Sequence, residues 1–142
     1  MKNQDTCGAI VKQINDELEK RANNALRPHN LTMAQVHVLL MLDDAGGGEM
    51  SLKDLEQSLH VAQSTAAGIV SRLEQKGLIE ALGDPEDKRV KKARITAEGM
   101  ERCREAEQHM EETEAHILSN LTETERAILL TLLRKVRDSL FP

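Results

Sequence analysis

The stretch that decides the fold is residues 63–77, which read QSTAAGIVSRLEQKG. Its apolar residues recur every three to four positions, which predicts a helix with one buried face, and Gly77 is a typical helix stop. The opposite face carries small polar groups and one cation, where solvated helix faces favour Glu and Lys: Gln63, Ser64, Ala67, Ser71 and Arg72. Such a face is typical of helices that read the DNA major groove.

A shorter helix and a tight turn precede this stretch. Residues 51–54 have the spacing of a capping box, and leucines recur on one face of the helix that the box opens. His60 and Val61 then provide the turn. Further upstream, Thr32 is placed to cap another helix, and three glycines at 46–48 form a loop. The order helix, turn, helix predicts a helix-turn-helix.

Two short strands are predicted after Gly77, at 78–82 and 90–96, with residues typical of turns between them at 83–87. Basic side chains crowd this hairpin: Lys88, Arg89, Lys91, Lys92 and Arg94. A solvated hairpin that keeps an edge strand from aggregating is the alternative explanation. Directly after a helix-turn-helix, the cluster predicts a wing that contacts DNA phosphate.

Amphipathic helices are predicted on both sides of this part of the chain, at about 5–27, from Thr96 to about 119, and from a capping box at 122–125 to the C terminus. The apolar stripe of the last helix is too wide for one chain to cover easily, which favours a homodimer. The expected fold is mainly α with a small β-hairpin wing. Residues 31–96 form the winged helix-turn-helix lobe, and residues 1–30 and 97–142 are the dimerisation helices.

Composition excludes several classes of protein. The 142 residues have a net charge of −5 and one aromatic residue, Phe141. A surface that stacks single-stranded bases is nearly excluded, because it needs several aromatic rings. Neither a signal peptide nor a membrane-spanning stretch is apparent, so we expect a cytoplasmic protein with no membrane partner. No constellation of catalytic groups appears at usable spacing, so we expect no enzyme and no cofactor.

The cysteines and histidines can be interpreted as residues without a sensing role, or as a redox-sensing site and a zinc-sensing site. Cys7 and Cys103 raise the question of redox sensing, but no partner for a reactive thiol is apparent. His37, His109 and His116 raise the question of zinc, but the His-x-x-x-His spacing is absent. We therefore expect no metal site.

Several short motifs in residues 31–99 resemble, in order and spacing, those of MarR-family transcription regulators. They are Leu31-Thr32-x-x-Gln35-x-x-Val38-Leu39, Val61-x-x-Ser64-Thr65, Arg72-Leu73-Glu74-x-x-Gly77-Leu78-Ile79, Asp84-x-x-Asp87-x-Arg89 and Ile95-Thr96-x-x-Gly99. The resemblance implies a homodimer whose two winged lobes meet successive major grooves of a pseudo-palindrome.

The resemblance also implies roles for individual side chains. Ser64, Thr65 and Ser71 would lie on or near the recognition surface. Arg89 would enter the minor groove, braced by Asp87, and Arg72 would pair with wing carboxylates or contact phosphate. The remaining wing cations would contact phosphate: Lys88, Lys91 and Lys92. Ala67 and Gly68 occupy positions where some relatives have larger polar or basic side chains that contact bases. We therefore expect few direct contacts between this helix and the bases.

The leading hypothesis is a sequence-specific, ligand-responsive repressor. Its expected partners are double-stranded DNA, a second copy of the chain and a small-molecule effector that the sequence does not identify. A winged helix that docks on another protein without reading DNA is the rival hypothesis. The rival predicts little loss of function for Arg89→Ala or Lys92→Ala, whereas the DNA hypothesis predicts a clear loss for the first and a shallower salt dependence for the second.

Overall fold

A computed structural model describes residues 5–84 and 86–142, with the side chains at 84 and 87–91 outside the described part. Six α-helices and three strands follow one another in the part of the chain that the structure describes. In order they are α1 (Cys7–Leu26), α2 (Met33–Asp44), β1 (Glu49–Ser51), α3 (Leu52–Leu59), α4 (Gln63–Gln75), β2 (Ile79–Asp84), β3 (Asp87–Ile95), α5 (Ala97–Ile117) and α6 (Glu123–Leu140). The fold is mainly α with a small antiparallel sheet, as the sequence predicts.

The helices begin where side chains can satisfy their free backbone N–H groups. Thr32 accepts a hydrogen bond from the backbone N–H of Gln35, and the Gln35 side chain accepts one from Thr32, which completes a capping box. Thr122 and Glu125 form the same reciprocal pair at the start of α6. Ser51 caps α3 by accepting from the Asp54 N–H at 3.0 Å. The predicted helix starts at residues 32, 51 and 122 are therefore confirmed.

The sheet has the strand order β1-β3-β2, and both pairings are antiparallel. The β2–β3 hairpin is longer than predicted, because pairing continues through register shifts on either side of Gly83 to Asp84 opposite Asp87. Strand β1 was missed. It has only three residues, and it forms because β3 offers a free edge, with Met50 opposite Ala93.

The core of the winged part is built from aliphatic side chains of α2, α3, α4 and the sheet. The largest fully buried members are Leu39, Leu42, Leu55, Leu73, Ile79, Val38 and Cys103. Leu55 of α3 and Leu73 of α4 both belong to this core cluster, which fixes the packing of the helix-turn-helix. Among the described residues, no helix is long and apolar enough to cross a membrane.

The chain forms two compact units. The first runs to Glu107 and contains the winged helix-turn-helix together with α1 and the first half of α5. The second runs from Gln108 to Pro142 and contains the second half of α5 and all of α6. In the second unit, Arg126 of α6 donates a hydrogen bond to the Leu118 carbonyl at 3.1 Å, which ties the start of α6 to the preceding turn.

Candidate nucleic-acid interface

The turn between α3 and α4 depends on a left-handed residue. His60 has φ 55°, and the backbone N–H groups of His60 and Val61 donate to the carbonyls of Gln57 and Glu56. These bonds satisfy the carbonyls at the end of α3 and redirect the chain within three residues, so that α4 begins at Gln63. The predicted tight turn is confirmed, with a histidine in a conformation that usually favours glycine.

Helix α4 has a buried face and an open face. Ala66, Val70 and Leu73 pack into the core, whereas the polar residues predicted to face DNA are exposed: Gln63, Ser64, Thr65, Ser71 and Arg72. In the described part of the chain, none of these five side chains has a hydrogen-bond or ion-pair partner. Their exposed polar groups are therefore available to bind a ligand.

The residues at the centre of this open face have small side chains. Gly68 is exposed, and a β-carbon placed there would meet nothing within 4 Å. Ala67 beside it is exposed as well. A face of small side chains lets a helix approach base edges closely, because no long side chain must first be moved aside.

Arg72 is exposed near the C-terminal end of α4. It forms no ion pair with a described carboxylate, but the side chains of the wing carboxylates Asp84 and Asp87 lie outside the described residues. Both roles that the resemblance implies for Arg72, pairing with wing carboxylates and contact with phosphate, therefore stay predictions.

Strand β3 alternates between core and solvent. Ala93 and Ile95 are buried, whereas Lys92 and Arg94 are exposed. The side chains predicted at the tip of the wing, Asp87, Lys88, Arg89 and Lys91, lie outside the described residues, although their positions belong to β3. Their predicted contacts with DNA therefore stay predictions.

One carboxylate holds the two described wing cations. Glu49 of β1 accepts a hydrogen bond from Arg94 at 3.1 Å and lies 3.6 Å from the Lys92 ammonium group. The hydrogen bond from Arg94 lowers the pKa of Glu49 from its usual value, against a smaller opposing effect of desolvation. Sequence reasoning missed this residue because it lies in the strand that was also missed. Arg94 has a second, longer contact with Glu80 of β2, at 3.9 Å.

Known proteins are similar to this chain in sequence as well as in fold. The sequence model of the MarR family matches residues 31–91. The multiple antibiotic resistance protein MarR of Salmonella typhimurium is 30% identical over 130 residues, which cover 91% of this chain and 89% of that protein. The chain belongs to the MarR family.

Solved structures of MarR-family proteins agree over nearly the whole chain. Wild-type MarR of Escherichia coli is 29% identical and superposes with a TM-score of 0.76, covering 92% of this chain and 96% of that one. BpsR of Bordetella bronchiseptica, whose DNA binding is regulated by 6-hydroxynicotinic acid, is 25% identical with a TM-score of 0.75 and 97% coverage of both chains. MarR-family members are DNA-binding transcription regulators that respond to ligands. They are not enzymes, and neither is this protein.

The two cysteines have opposite surroundings. Cys103 of α5 is buried, and this burial raises the pKa of its thiol to about 12, with the nearby carboxylate of Asp43 adding to the shift. A thiol with such a pKa stays protonated and unreactive at neutral pH, which argues against a redox role. Cys7, the first residue of α1, is exposed.

The histidines are not gathered into a ligand set. Within residues 5–84 and 86–142, no group of three or more His, Cys, Asp or Glu side chains has the arrangement of a metal site. His109 instead lies 3.4 Å from the hydroxyl of Thr113, one helical turn along α5.

Proposed function

We propose that this protein is a sequence-specific, ligand-responsive repressor that binds a pseudo-palindromic operator as a homodimer in the cytoplasm. The observation that carries the proposal is the open face of α4. Five polar side chains on it have no partner in the described part of the chain, and they surround a centre of small residues. Gln63, Ser64, Thr65 and Ser71 face the major groove, where they bind base edges and phosphates.

The wing supplies the second set of contacts. Arg89 enters the minor groove, where a narrow groove has a strongly negative potential, and Asp87 braces it by a charge-assisted hydrogen bond. Lys88, Lys91 and Lys92 bind phosphates, which raises affinity without adding sequence preference. The exposed position of Lys92 on β3 supports this role. Its ion pair with Glu49 determines how strongly its ammonium group attracts DNA phosphate.

The apolar surface of the outer helices supports the homodimer. Helix α6 has no buried residue, although it carries a stripe of large apolar side chains that are about half exposed or more: Ile128, Leu130, Leu132, Leu133, Val136 and Leu140. Ile10, Val11 and Ile14 of α1 are similarly exposed. Contiguous apolar surface of this kind marks a protein interface, and a second copy of the chain is the partner that a two-fold operator requires. We therefore assign residues 1–30 and 97–142 to dimerisation and residues 31–96 to DNA binding.

Repression is relieved by a population shift. A small-molecule effector binds more tightly to the conformation in which the two lobes have the wrong spacing for DNA. The difference between its affinities for the two conformations determines how much it weakens operator binding. Support comes from BpsR, whose DNA binding is regulated by 6-hydroxynicotinic acid.

The test is a fluorescence-anisotropy titration of a duplex chosen from a random-site pool, at two salt concentrations. We expect Arg89→Ala to lose most of the affinity for the chosen duplex. We expect Lys92→Ala to weaken binding to all duplexes alike and to lower the salt slope by about one. Lys53→Ala, on the exposed side of α3, is a control for the loss of one cation. Equal, weak binding by the wild type and the three variants would contradict the proposal. It would favour the rival hypothesis of a winged helix that docks on another protein without reading DNA.

A further inference from the structure

The side chain of Lys76 joins three parts of the first unit. Lys76 is the C-cap residue of α4, and its ammonium group donates to the side-chain oxygen of Gln35 at 2.9 Å and to the backbone carbonyl of Asn30. Gln35 lies in the first turn of α2, and Asn30 ends the short turn between α1 and α2. We call this arrangement of three residues the Lys76 bridge. It connects the end of the helix that we assign to the major groove with the segment that follows α1.

Both acceptors of the bridge have fixed positions. Gln35 is only 4% exposed, and its side-chain oxygen also accepts a hydrogen bond from the Thr32 N–H at 3.2 Å. Asn30 is left-handed, with φ 55°, and its N–H donates to the Arg27 carbonyl at 3.0 Å, which closes the turn. A lysine amine that donates to two fixed acceptors is itself fixed, whereas a solvated lysine side chain samples many rotamers.

Backbone hydrogen bonds make the end of α4 rigid as far as Lys76. The Lys76 N–H donates to the Arg72 carbonyl at 3.2 Å, and the N–H of the left-handed Gly77 donates to the Glu74 carbonyl at 2.9 Å. A restraint on the Lys76 side chain therefore acts on the last turns of the helix, where Ser71 and Arg72 belong to the open face. Side chains that recognise a ligand must be held within about 0.5 Å of the productive geometry, so a small shift of this helix end would misplace them.

The bridge differs from a surface ion pair. Both acceptors are neutral, and Lys76 is partly buried. Hydrogen bonds from a charged donor are roughly twice as strong as those between neutral groups. Because no opposing charge takes part, salt weakens the bridge less than it weakens an exposed ion pair. The restraint on α4 therefore persists at the salt concentrations at which DNA binding is measured.

We infer that Lys76 is a positioning residue, which holds the end of α4 in the orientation required for reading bases without itself contacting DNA. The inference rests on the proposed function, and it extends that proposal to Lys76 and Gln35, to which the proposed function assigns no role. A phosphate contact raises the affinity for every duplex alike. A positioning residue instead raises the affinity for the operator above that for other duplexes.

Hydrogen exchange of the full-length protein without DNA tests whether the bridge holds α4. We expect Lys76→Met, which keeps an apolar stem and removes the donor, to speed exchange of the backbone N–H groups of residues 72–76 at least about fivefold. Gln35→Met removes the acceptor and should have the same effect on these groups. Gln35→Glu keeps an acceptor oxygen for Thr32 and for Lys76, so it should retain the wild-type rates. Lys53→Met, at an exposed lysine of α3, is the control and should leave these rates unchanged. Unchanged rates in Lys76→Met overturn the inference.

DNA titrations of the same proteins test whether this orientation matters for reading sequence. We expect Lys76→Met to lower the ratio of the affinities for the selected duplex and for a scrambled duplex at least about fivefold, with an unchanged salt slope for the scrambled duplex. Gln35→Met, which removes no charge, should lower the ratio as much, and the double variant should lower it no further, because both substitutions break the same bond. Gln35→Glu should keep the wild-type ratio.

Two results of these titrations overturn the inference. Equal loss of affinity for both duplexes in Lys76→Met, with a salt slope lower by about one, would make Lys76 a phosphate contact. An unchanged ratio together with a lower melting temperature would make the bridge a contribution to stability alone. Thermal unfolding of each variant therefore accompanies the titrations, which are made at a temperature where every variant is folded.

The two measurements separate this inference from the proposed function. If the wild type selects a duplex and Lys76→Met keeps the wild-type ratio, the DNA proposal stands and the positioning role is wrong. If the wild type selects no duplex, the proposed function fails and the role of the bridge in reading DNA fails with it. The exchange rates then still decide whether Lys76 holds the end of α4, because they are measured without DNA.

Discussion

Gly99 of α5 packs directly against the backbone carbonyl of Leu78, at the root of the wing. A β-carbon placed on Gly99 would overlap that carbonyl oxygen and would lie 2.7 Å from a side-chain carbon of Ile95. Thr96 reinforces the junction, because its hydroxyl donates to the Gly77 carbonyl at 2.8 Å and accepts from the Gly99 N–H. The close approach therefore fixes α5 to the base of the hairpin.

We expect Gly99→Ala to lower the free energy of unfolding by about 1–3 kcal/mol, since backbone rather than a flexible side chain must move to admit the methyl group. Urea denaturation at one fixed protein concentration measures the change. Gly68→Ala is the matched control, because a β-carbon there meets nothing within 4 Å. It should raise stability by about 0.5–1 kcal/mol through helix propensity. Equal effects of the two substitutions would show that the junction is not close-packed.

Glu49 limits the positive charge of the wing. We expect Glu49→Gln to strengthen DNA binding at low salt and to steepen its salt dependence, because Lys92 and Arg94 then lose their shared carboxylate. Anisotropy titrations at several salt concentrations measure both effects. Glu101→Gln on α5 changes the net charge by the same amount and frees only Arg104. If the two variants behave alike, net charge alone determines affinity and the contact with Glu49 has no special role.

The buried thiol predicts a loss of stability at alkaline pH. The pKa of Cys103 is about 12 in the folded chain against 9.0 for an unperturbed thiol. Below pH 9 the thiol is protonated in both states and adds no pH dependence. Above pH 9 the unfolded chain ionises first, so the free energy of unfolding falls as pH rises toward 12.

Between pH 8 and pH 11, the free energy of unfolding should therefore fall more steeply with pH in the wild type than in Cys103→Val. The difference in slope should correspond to the release of up to one proton on unfolding. Cys7→Val is the matched control for loss of a thiol, because Cys7 is exposed. A thiol reagent at neutral pH should modify Cys7 and leave Cys103 intact. Rapid reaction of both thiols would contradict the burial of Cys103.

The apolar stripe of α6 predicts that one charge can break the proposed homodimer. We expect Leu132→Glu to convert the dimer to monomers in sedimentation experiments at micromolar concentration, because a carboxylate would otherwise be buried in the interface. Lys135→Glu, an exposed polar position on the same helix, should remain dimeric. Retained dimers in Leu132→Glu would place the interface elsewhere.

Much of the fold is encoded locally, which is why the sequence alone predicts it. Helix starts depend on side chains three residues apart, such as Thr32 with Gln35, and the open face of α4 follows from its periodicity. Strand β1 and the contact of Glu49 with Arg94 depend on residues 45 positions apart, and no local pattern marks them. The bond from Lys76 to Gln35 was missed for the same reason, since it joins residues 41 positions apart.

The central claim is that the open face of α4 reads DNA sequence, and selection from a random-site duplex pool tests it most directly. The wild type should enrich an inverted repeat with half-sites about one helical turn apart. Ser71→Leu, which places a large apolar group on the exposed face, should enrich no such repeat, whereas Ser119→Ala outside the first unit should behave as wild type. If the wild type enriches no sequence, or if Ser71→Leu enriches the same repeat equally well, the claim is wrong.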